Sequence, residues 1–274
     1  MSLIQALVLG IVQGATEFLP ISSSAHLVLV PWLLKWEFDP NAAFIFNILV
    51  QWGTLLAVVF YFRHDLLEMV GAAWRGVRSR KPFQDPEARL AWLVLAASIP
   101  ATIVGVALKT QVSQTFENPR TVSLLLLVTA VMLFLGERIG KFERTLESLS
   151  MRDALWIGLA QALALFPGVS RSGATIAAGL VRRFQRPDAA RFSFLIAIPV
   201  MIGAGLVAVF DLAHIPNGDS QISALVVGFL AAVFVGYFAI RWLINFLARK
   251  SLSAFGVYCA IVGGLGLLLS VIRG

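Results

Sequence analysis

The chain has 274 residues, 58% of them hydrophobic and only 14% charged, where an ordinary soluble domain carries roughly 25% charged residues. So little charge cannot cover a water-facing surface, which excludes a soluble globular protein and leaves a polytopic membrane protein. The net charge of +7 comes from basic residues lying between apolar runs, so it reports membrane topology and gives no reason to expect nucleic acid. Cys259 is the single cysteine, and His26, His64 and His214 are scattered. That leaves no material for an internal disulfide or a structural zinc site.

Taken in chain order, residues 1–36 are apolar but broken by Glu17, Pro20, Ser22, Ser23, Ser24 and His26. The first basic residue is Lys35, so the segment lacks the basic start of a signal peptide and reads as part of the mature protein. Each half is too short to cross a bilayer, and interrupted backbone at membrane depth needs protein or a wet cavity around it. The pattern predicts a re-entrant helical hairpin. Three spans follow, at about 43–62, 90–108 and 121–136. A second broken stretch, 152–182, is interrupted by Pro167 and Ser170-Arg171-Ser172 and predicts a second hairpin. Spans at about 192–212, 222–246 and 254–272 complete the chain.

Loops 63–89, 137–153 and 182–191, with Arg249 and Lys250, hold most of the cations and are expected on the cytoplasmic side. The loops at 109–120 and 213–221 contain only Lys109 and Arg120 and are expected outside, as are both termini. Residues 10–27 and 158–175 share Gly-x-x-Gln, an aromatic, a proline and a serine-rich turn. Each hairpin precedes three spans, an odd number, so the half at 151–274 is inverted relative to the half at 1–150. The expected fold is therefore an all-α polytopic membrane protein, one membrane domain with an inverted-topology repeat: six transmembrane helices plus two re-entrant helical hairpins. The two serine-rich turns are expected to face one another across one cavity.

Glu17 and Arg171 are the charges deepest in the hairpins. A charge at the bilayer centre costs about 2.5–3.5 kcal/mol on insertion scales, so neither should face lipid. They form either a structural pair or an ion site. Gln13 and Glu17, four residues apart, share a helix face and can orient a water, a proton or a divalent cation. Ser22 and Ser23 lie within one turn of His26, which places a base within reach of a nucleophile; a local cap is the plainer alternative. In the second hairpin, Gly168 opens a turn into a helix start, where free amides favour an anion. Arg171 adds a planar bidentate donor, and Ser170, Ser172 and Thr175 add hydroxyls. One nucleophilic side and one anion-binding side is the division of labour for phosphoryl transfer. Asn47 and Gln51 are expected to line the cavity. Trp32, Trp36, Trp74, Trp92 and Trp156 fall near predicted interfaces, His64 is expected at an interface and His214 in solvent, and Gly203 and Gly205 suit close helix packing.

The run Gln13-Gly-Ala-Thr-Glu17-Phe-Leu-Pro20 with Ser22, Ser23 and His26, and the run Pro167-Gly-Val-Ser-Arg-Ser-Gly-Ala-Thr175, closely resemble the bacterial undecaprenyl-diphosphate phosphatases of the bacitracin-resistance type. Gln13 occupies that family's variable Glu/Gln position. The likeness extends over nearly the whole chain, including 44–57 and 191–199. It implies hydrolysis of undecaprenyl diphosphate to undecaprenyl phosphate and inorganic phosphate, recycling a lipid carrier for peptidoglycan synthesis. It further implies bacitracin resistance, a place in the bacterial plasma membrane, a site open to the outer face and dependence on a divalent cation. Within that resemblance Ser23 is the expected nucleophile, with His26 or Glu17 as base, Ser22, Ser170, Ser172 and Thr175 near the phosphate, and Arg171 with the Gly168–Ser172 backbone holding it. Attack by His26 is the alternative. Glu17, with Gln13, is expected to hold Mg²⁺ or Ca²⁺ together with diphosphate oxygens. The expected partners are the polyprenyl diphosphate, membrane lipids and a further copy of the chain. A polyprenyl-phosphate transporter is the competing class, since inverted repeats with broken helices are also a transporter architecture.

Overall fold

A computed structural model describes residues 1–108, 110, 111, 118–212 and 222–273, with the backbone alone for 208–212. Its elements are α1 (Leu3–Phe18), α2 (Ser23–Leu34), α3 (Pro40–Tyr61), α4 (Arg63–Arg78), α5 (Pro86–Ala107), α6 (Pro119–Ile139), α7 (Met151–Leu163), α8 (Arg171–Val181), α9 (Arg186–Leu212), α10 (Ile222–Leu247) and α11 (Ser253–Ile272). A 3-10 turn, Leu146–Ser148, precedes α7. The described residues form no sheet, only an isolated bridge between Arg144 and Phe184. His214, Lys109 and most of the two loops expected outside fall beyond the described residues.

Among the described residues, six helices are long and apolar enough to cross a membrane: α3, the first part of α9 (Arg186–Val207), α5, α6, α10 and α11. Local chemistry starts three of them in the same way. Asp39, Asp85 and Asn118 cap α3, α5 and α6 through side-chain oxygens, and each is followed by a proline at the first helical position, where its missing N–H costs nothing. Outward-facing rows of large apolar side chains, such as Phe234 and Phe238 on α10 and Leu265 and Leu268 on α11, are more than half exposed. In water such rows would be a liability; in a bilayer they are the lipid-facing surface.

Each of the two broken stretches is a pair of short helices, α1 and α2 separated at 19–22 and α7 and α8 separated at 164–170. Their packing corresponds. α1 lies against α10, and α7 lies against α5. At both crossings a glycine touches the partner's backbone: a Cβ on Gly10 would run into Gly228 O, and one on Gly158 into Ala97 O. Gly205 likewise packs against Trp52, whereas Gly203 has open space around it, so only the first of these two glycines serves close packing.

The charged connections are more structured than expected. Residues 63–89 contain α4, and the arginine-rich segment at 186–191 forms the first turns of α9. Helix is tolerated there because the cations are matched: Arg186 makes a two-pronged contact with Glu137 at 2.8 and 2.6 Å, and Arg191 pairs with Asp65 of α4. At the base of α7, fully buried Asp153 receives Arg144 at 2.8 Å, Arg182 at 2.6 Å and the Ser150 hydroxyl at 2.6 Å. Burial alone would raise its pKa, but the hydrogen bonds from Arg144, Ser150 and Arg182 outweigh it and hold the carboxyl well below the usual range. A depressed carboxyl pKa stabilises the fold above the unfolded value near 3.9, and the benefit is lost as pH falls through the acid range below that value. Asp153→Asn should therefore cost about 3 kcal/mol at neutral pH and lower the apparent Tm by roughly 5–10 °C. Thermal unfolding in detergent between pH 3 and pH 7 checks this, because the gap between variant and wild type should close toward the acid end.

Candidate active site

The first turn is shaped by what the backbone cannot do. Pro20 has no N–H to continue α1, the chain leaves the helix at Leu19 in an extended conformation, and the Ile21 amide donates back to Leu19 O at 2.7 Å. Ser22 then adopts φ 69, a left-handed conformation uncommon outside glycine, asparagine and aspartate. From there its hydroxyl accepts the Ala25 amide at 3.3 Å and caps α2. The second turn repeats the device. Gly168 has φ 108, and a Cβ there would lie 2.5 Å from Val122 O, so no other residue fits. Ser170 caps α8 by accepting the Gly173 amide at 3.1 Å.

The turns are stapled to each other reciprocally. The Gly168 amide donates to Ser24 Oγ at 3.3 Å, and Ser172 Oγ donates to Leu19 O at 3.0 Å. Within each turn the alternate serines also meet, Ser22 with Ser24 at 3.1 Å and Ser170 with Ser172 at 3.2 Å. The turns thus meet face to face, although 144 residues separate Ser24 from Gly168.

Between them sits Glu17. Its Oε2 accepts Ser23 Oγ at 2.5 Å and Gln13 Nε2 at 2.9 Å, while Oε1 accepts Arg171 Nη2 at 2.6 Å. The Glu17 and Arg171 side chains are 11% and 16% exposed. One carboxylate therefore joins a hydroxyl from the first hairpin to a guanidinium from the second. Gln13 also reaches Thr54 Oγ1 at 3.4 Å, which ties the cluster to α3. Arg171 Nη1 makes only a long contact, 3.5 Å, to Ala197 O, so the edge of the fork turned away from Glu17 retains donor capacity.

His26 does not reach a serine hydroxyl. Its Nδ1 lies 2.8 Å from Ser22 O and its Nε2 2.8 Å from the Tyr258 hydroxyl, with the two rings stacked at 5.7 Å. A carbonyl only accepts, so Nδ1 carries the proton and Nε2 accepts from Tyr258. The spacing of residues 22, 23 and 26 is helical as expected, but Ser22, as the cap of α2, turns its carbonyl to the ring while its hydroxyl takes the Ala25 amide and meets Ser24.

The remaining expected residues divide by what they touch. Ser22, Ser170 and Ser172 are buried and engaged in the caps and staples, and Thr175 Oγ1 donates to Arg171 O at 2.7 Å and meets Ser193 at 2.6 Å. These hydroxyls hold the turns and the Arg171 backbone in place. The amides of Arg171 and Ser172 head α8 and have no intrahelical acceptor. Gln51 is half-buried and Asn47 exposed on α3.

Thr129, Thr54 and Tyr258 escaped the sequence reading. Thr129 of α6 accepts the Ser170 amide at 2.9 Å and donates to Gly168 O at 3.0 Å, pinning the second turn from outside the hairpin. Its only signal was a hydroxyl in the apolar run 124–135. Gln161, at the place in the second hairpin that Gln13 holds in the first, is buried with both amide atoms unpartnered.

Fold and site together define a multi-pass helical membrane protein with a hydroxyl, a carboxylate and a guanidinium gathered at two helix breaks. The chain belongs to the bacitracin resistance protein BacA family, whose pattern it matches over residues 6–265. It is 44% identical over 271 residues to the undecaprenyl-diphosphatase of Myxococcus xanthus, covering 98% of this chain and 89% of that protein. It is 46% identical over 279 residues to the undecaprenyl-diphosphatase of Thermomicrobium roseum, covering 99% of each. The protein of the same name from Methanobrevibacter smithii is 41% identical over 271 residues, 96% of each chain.

Proposed function

We propose that the protein hydrolyses undecaprenyl diphosphate to undecaprenyl phosphate and inorganic phosphate, recycling the lipid carrier for envelope synthesis and so conferring bacitracin resistance. The observation that carries this reading is the Ser23–Glu17–Arg171 contact, a hydroxyl donating to a carboxylate beside a guanidinium, in a chain whose relatives bear that enzyme name. Ser23 Oγ attacks the terminal phosphorus as Glu17 Oε2 takes its proton, and the bond from phosphorus to the bridging oxygen breaks. Undecaprenyl phosphate leaves. Glu17, having passed its proton to the departing phosphate, takes one from water as water attacks the phosphoserine, and returns it to Ser23 Oγ as inorganic phosphate is released. The edge of Arg171 turned away from Glu17 and the first amides of α8 neutralise the phosphoryl oxygens as charge builds on them. His26 and Tyr258 hold the Ser22 carbonyl and with it the start of α2.

The described residues contain no group of three or more histidine, cysteine or acidic side chains suited to a metal. They nevertheless fit a divalent cation shared with the substrate: Glu17 supplies a carboxylate, Gln13 keeps its amide oxygen, and the diphosphate would complete the oxygen shell of Mg²⁺ or Ca²⁺. When bound, the cation supplies charge neutralisation for the diphosphate.

The architecture that serves this chemistry is an inverted repeat of two re-entrant hairpins, 1–36 and 152–182, each followed by three spans. The matching crossings of α1 on α10 and α7 on α5, and the reciprocal serine staples, support it. The distribution of cations supports a plasma-membrane orientation with the site open outward. The same repeat is the observation that favours the transporter reading, but translocation needs an anion site and has no use for a serine donating to a carboxylate.

Phosphate release from undecaprenyl diphosphate by detergent-purified protein tests the proposal. Turnover that stops with EDTA and returns with Mg²⁺ or Ca²⁺ is expected. A folded, metal-supplied protein that releases no phosphate would favour a transporter.

A further inference from the structure

Helix α4 has a surface that the reaction does not use. It begins two residues after α3 ends at Tyr61 and is followed by α5 from Pro86, so both flanking spans hold it at the membrane boundary. Its sides fall into three sectors. Met69, Ala72 and Gly76 are buried, with α4 packed against α5 and Gly76 beneath Pro82. Leu67, Val70, Trp74 and Val77, spaced by three and four residues, form a second sector that is 72%, 67%, 71% and 53% exposed. His64, Glu68, Arg75 and Arg78 form an exposed polar third. The helix carries too many charged residues to cross a bilayer, so its apolar sector meets the membrane edge-on.

Charge identifies what covers it. Arg63, Arg75, Arg78, Arg80 and Lys81 face Asp65, Glu68, Asp85 and Glu87 across this helix and its return loop. Asp65 is taken by Arg191 and Asp85 by Arg75, while Arg78, Arg80 and Lys81 make no ion pair among the described residues. Those three cations lie together at the end of α4, where Arg80 takes a left-handed φ of 58 and the Lys81 amide donates to Gly76 O at 2.8 Å. An exposed apolar stripe with an interfacial tryptophan, flanked by unmatched cations, fits acyl chains beside negatively charged headgroups.

We propose that α4 is an interfacial anchor selective for anionic phospholipid: Leu67, Val70, Trp74 and Val77 enter the acyl region, and Arg78, Arg80 and Lys81 bind headgroups of net negative charge.

The full-length protein in nanodiscs tests this with bromine-labelled lipids that quench tryptophan on contact. The Trp74 signal is the difference between wild type and Trp74→Phe. Quenching of that difference by brominated phosphatidylglycerol, at several-fold lower mole fraction than brominated phosphatidylcholine requires, is the expected result. The preference should shrink in 0.5 M NaCl and in Arg78→Gln/Arg80→Gln/Lys81→Gln, all exposed positions whose replacement leaves the packed side of α4 intact. Equal quenching by both lipids would overturn the headgroup selectivity. A Trp74 signal that neither lipid quenches would overturn the whole proposal, and cross-linking through position 74 would then show whether a second copy covers the stripe.

Discussion

Ser23→Ala should abolish phosphate release, by about 10³-fold or more, while His26→Ala keeps a measurable fraction of wild-type turnover. The expectation follows from which side chain meets which. Ser23 Oγ already donates to Glu17 at 2.5 Å, the geometry of a nucleophile beside its base, and removing a nucleophile typically leaves only the rate that binding and charge stabilisation supply. His26 instead braces the first turn, with both ring nitrogens committed to Ser22 O and Tyr258. Its loss should loosen the turn without removing a reacting atom. Single-turnover assays with acid quenching add a second readout: a phosphoserine at Ser23 should accumulate early in wild type. The opposite pattern, with Ser23→Ala active and His26→Ala dead, would make His26 the attacking group.

The second large effect concerns the pair Glu17 and Arg171. Arg171→Lys should lower kcat by about 10²-fold or more, because an ammonium keeps the charge but loses the planar fork needed to hold Glu17 on one edge and phosphoryl oxygens on the other. Glu17→Gln should cost activity through loss of the base and also stability, about 3–5 kcal/mol, because it leaves a poorly exposed guanidinium without its counter-charge. In a double-mutant cycle on thermal stability with Glu17→Gln and Arg171→Gln, the paired variant should lose less than the two singles added together. Activity should not recover in the pair. Additive stability effects would show that the 2.6 Å contact between them contributes little to joining the hairpins.

The two readouts separate jobs that the site combines. Glu17 is at once the bridge between two halves of the chain and the acceptor for the Ser23 hydroxyl, the group proposed to react. In the proposed reaction, substrate would meet Arg171 at its Nη1 edge, which makes only a long contact to Ala197 O, without first breaking the ion pair.

Several features were legible in the sequence because they answer to constraints that act locally. Twenty-odd apolar residues between charged loops are expected to span, and six such runs among the described residues form helices long and apolar enough to do so. Pro20 and Pro167 must break helices, and a lone carboxylate and a lone guanidinium in apolar stretches must avoid lipid, so Glu17 and Arg171 pointed to one another and to the site. Polar spacing on a helix was a weaker guide. It put His26 in reach of Ser22 and Ser23, and the imidazole is indeed one turn away, but on the carbonyl side. The distribution of cations reads 182–191 as loop, though Glu137 and Asp65 neutralise Arg186 and Arg191 and let α9 begin at Arg186.

The sequence by itself thus determined that the chain lives in a membrane, where it breaks and which charged residues must be sheltered, because hydrophobic length, proline and the cost of bare charge are properties of short segments. Only the tertiary structure decided who meets whom. That Ser23 donates to Glu17, that Thr129 pins the second turn from α6, that Tyr258 orients His26 and that Ser24 and Ser172 staple the turns all depend on backbone direction at Ser22 and Gly168 and on helices brought together from distant parts of the chain. Such pairings are set by packing, and packing leaves no period in the sequence to read.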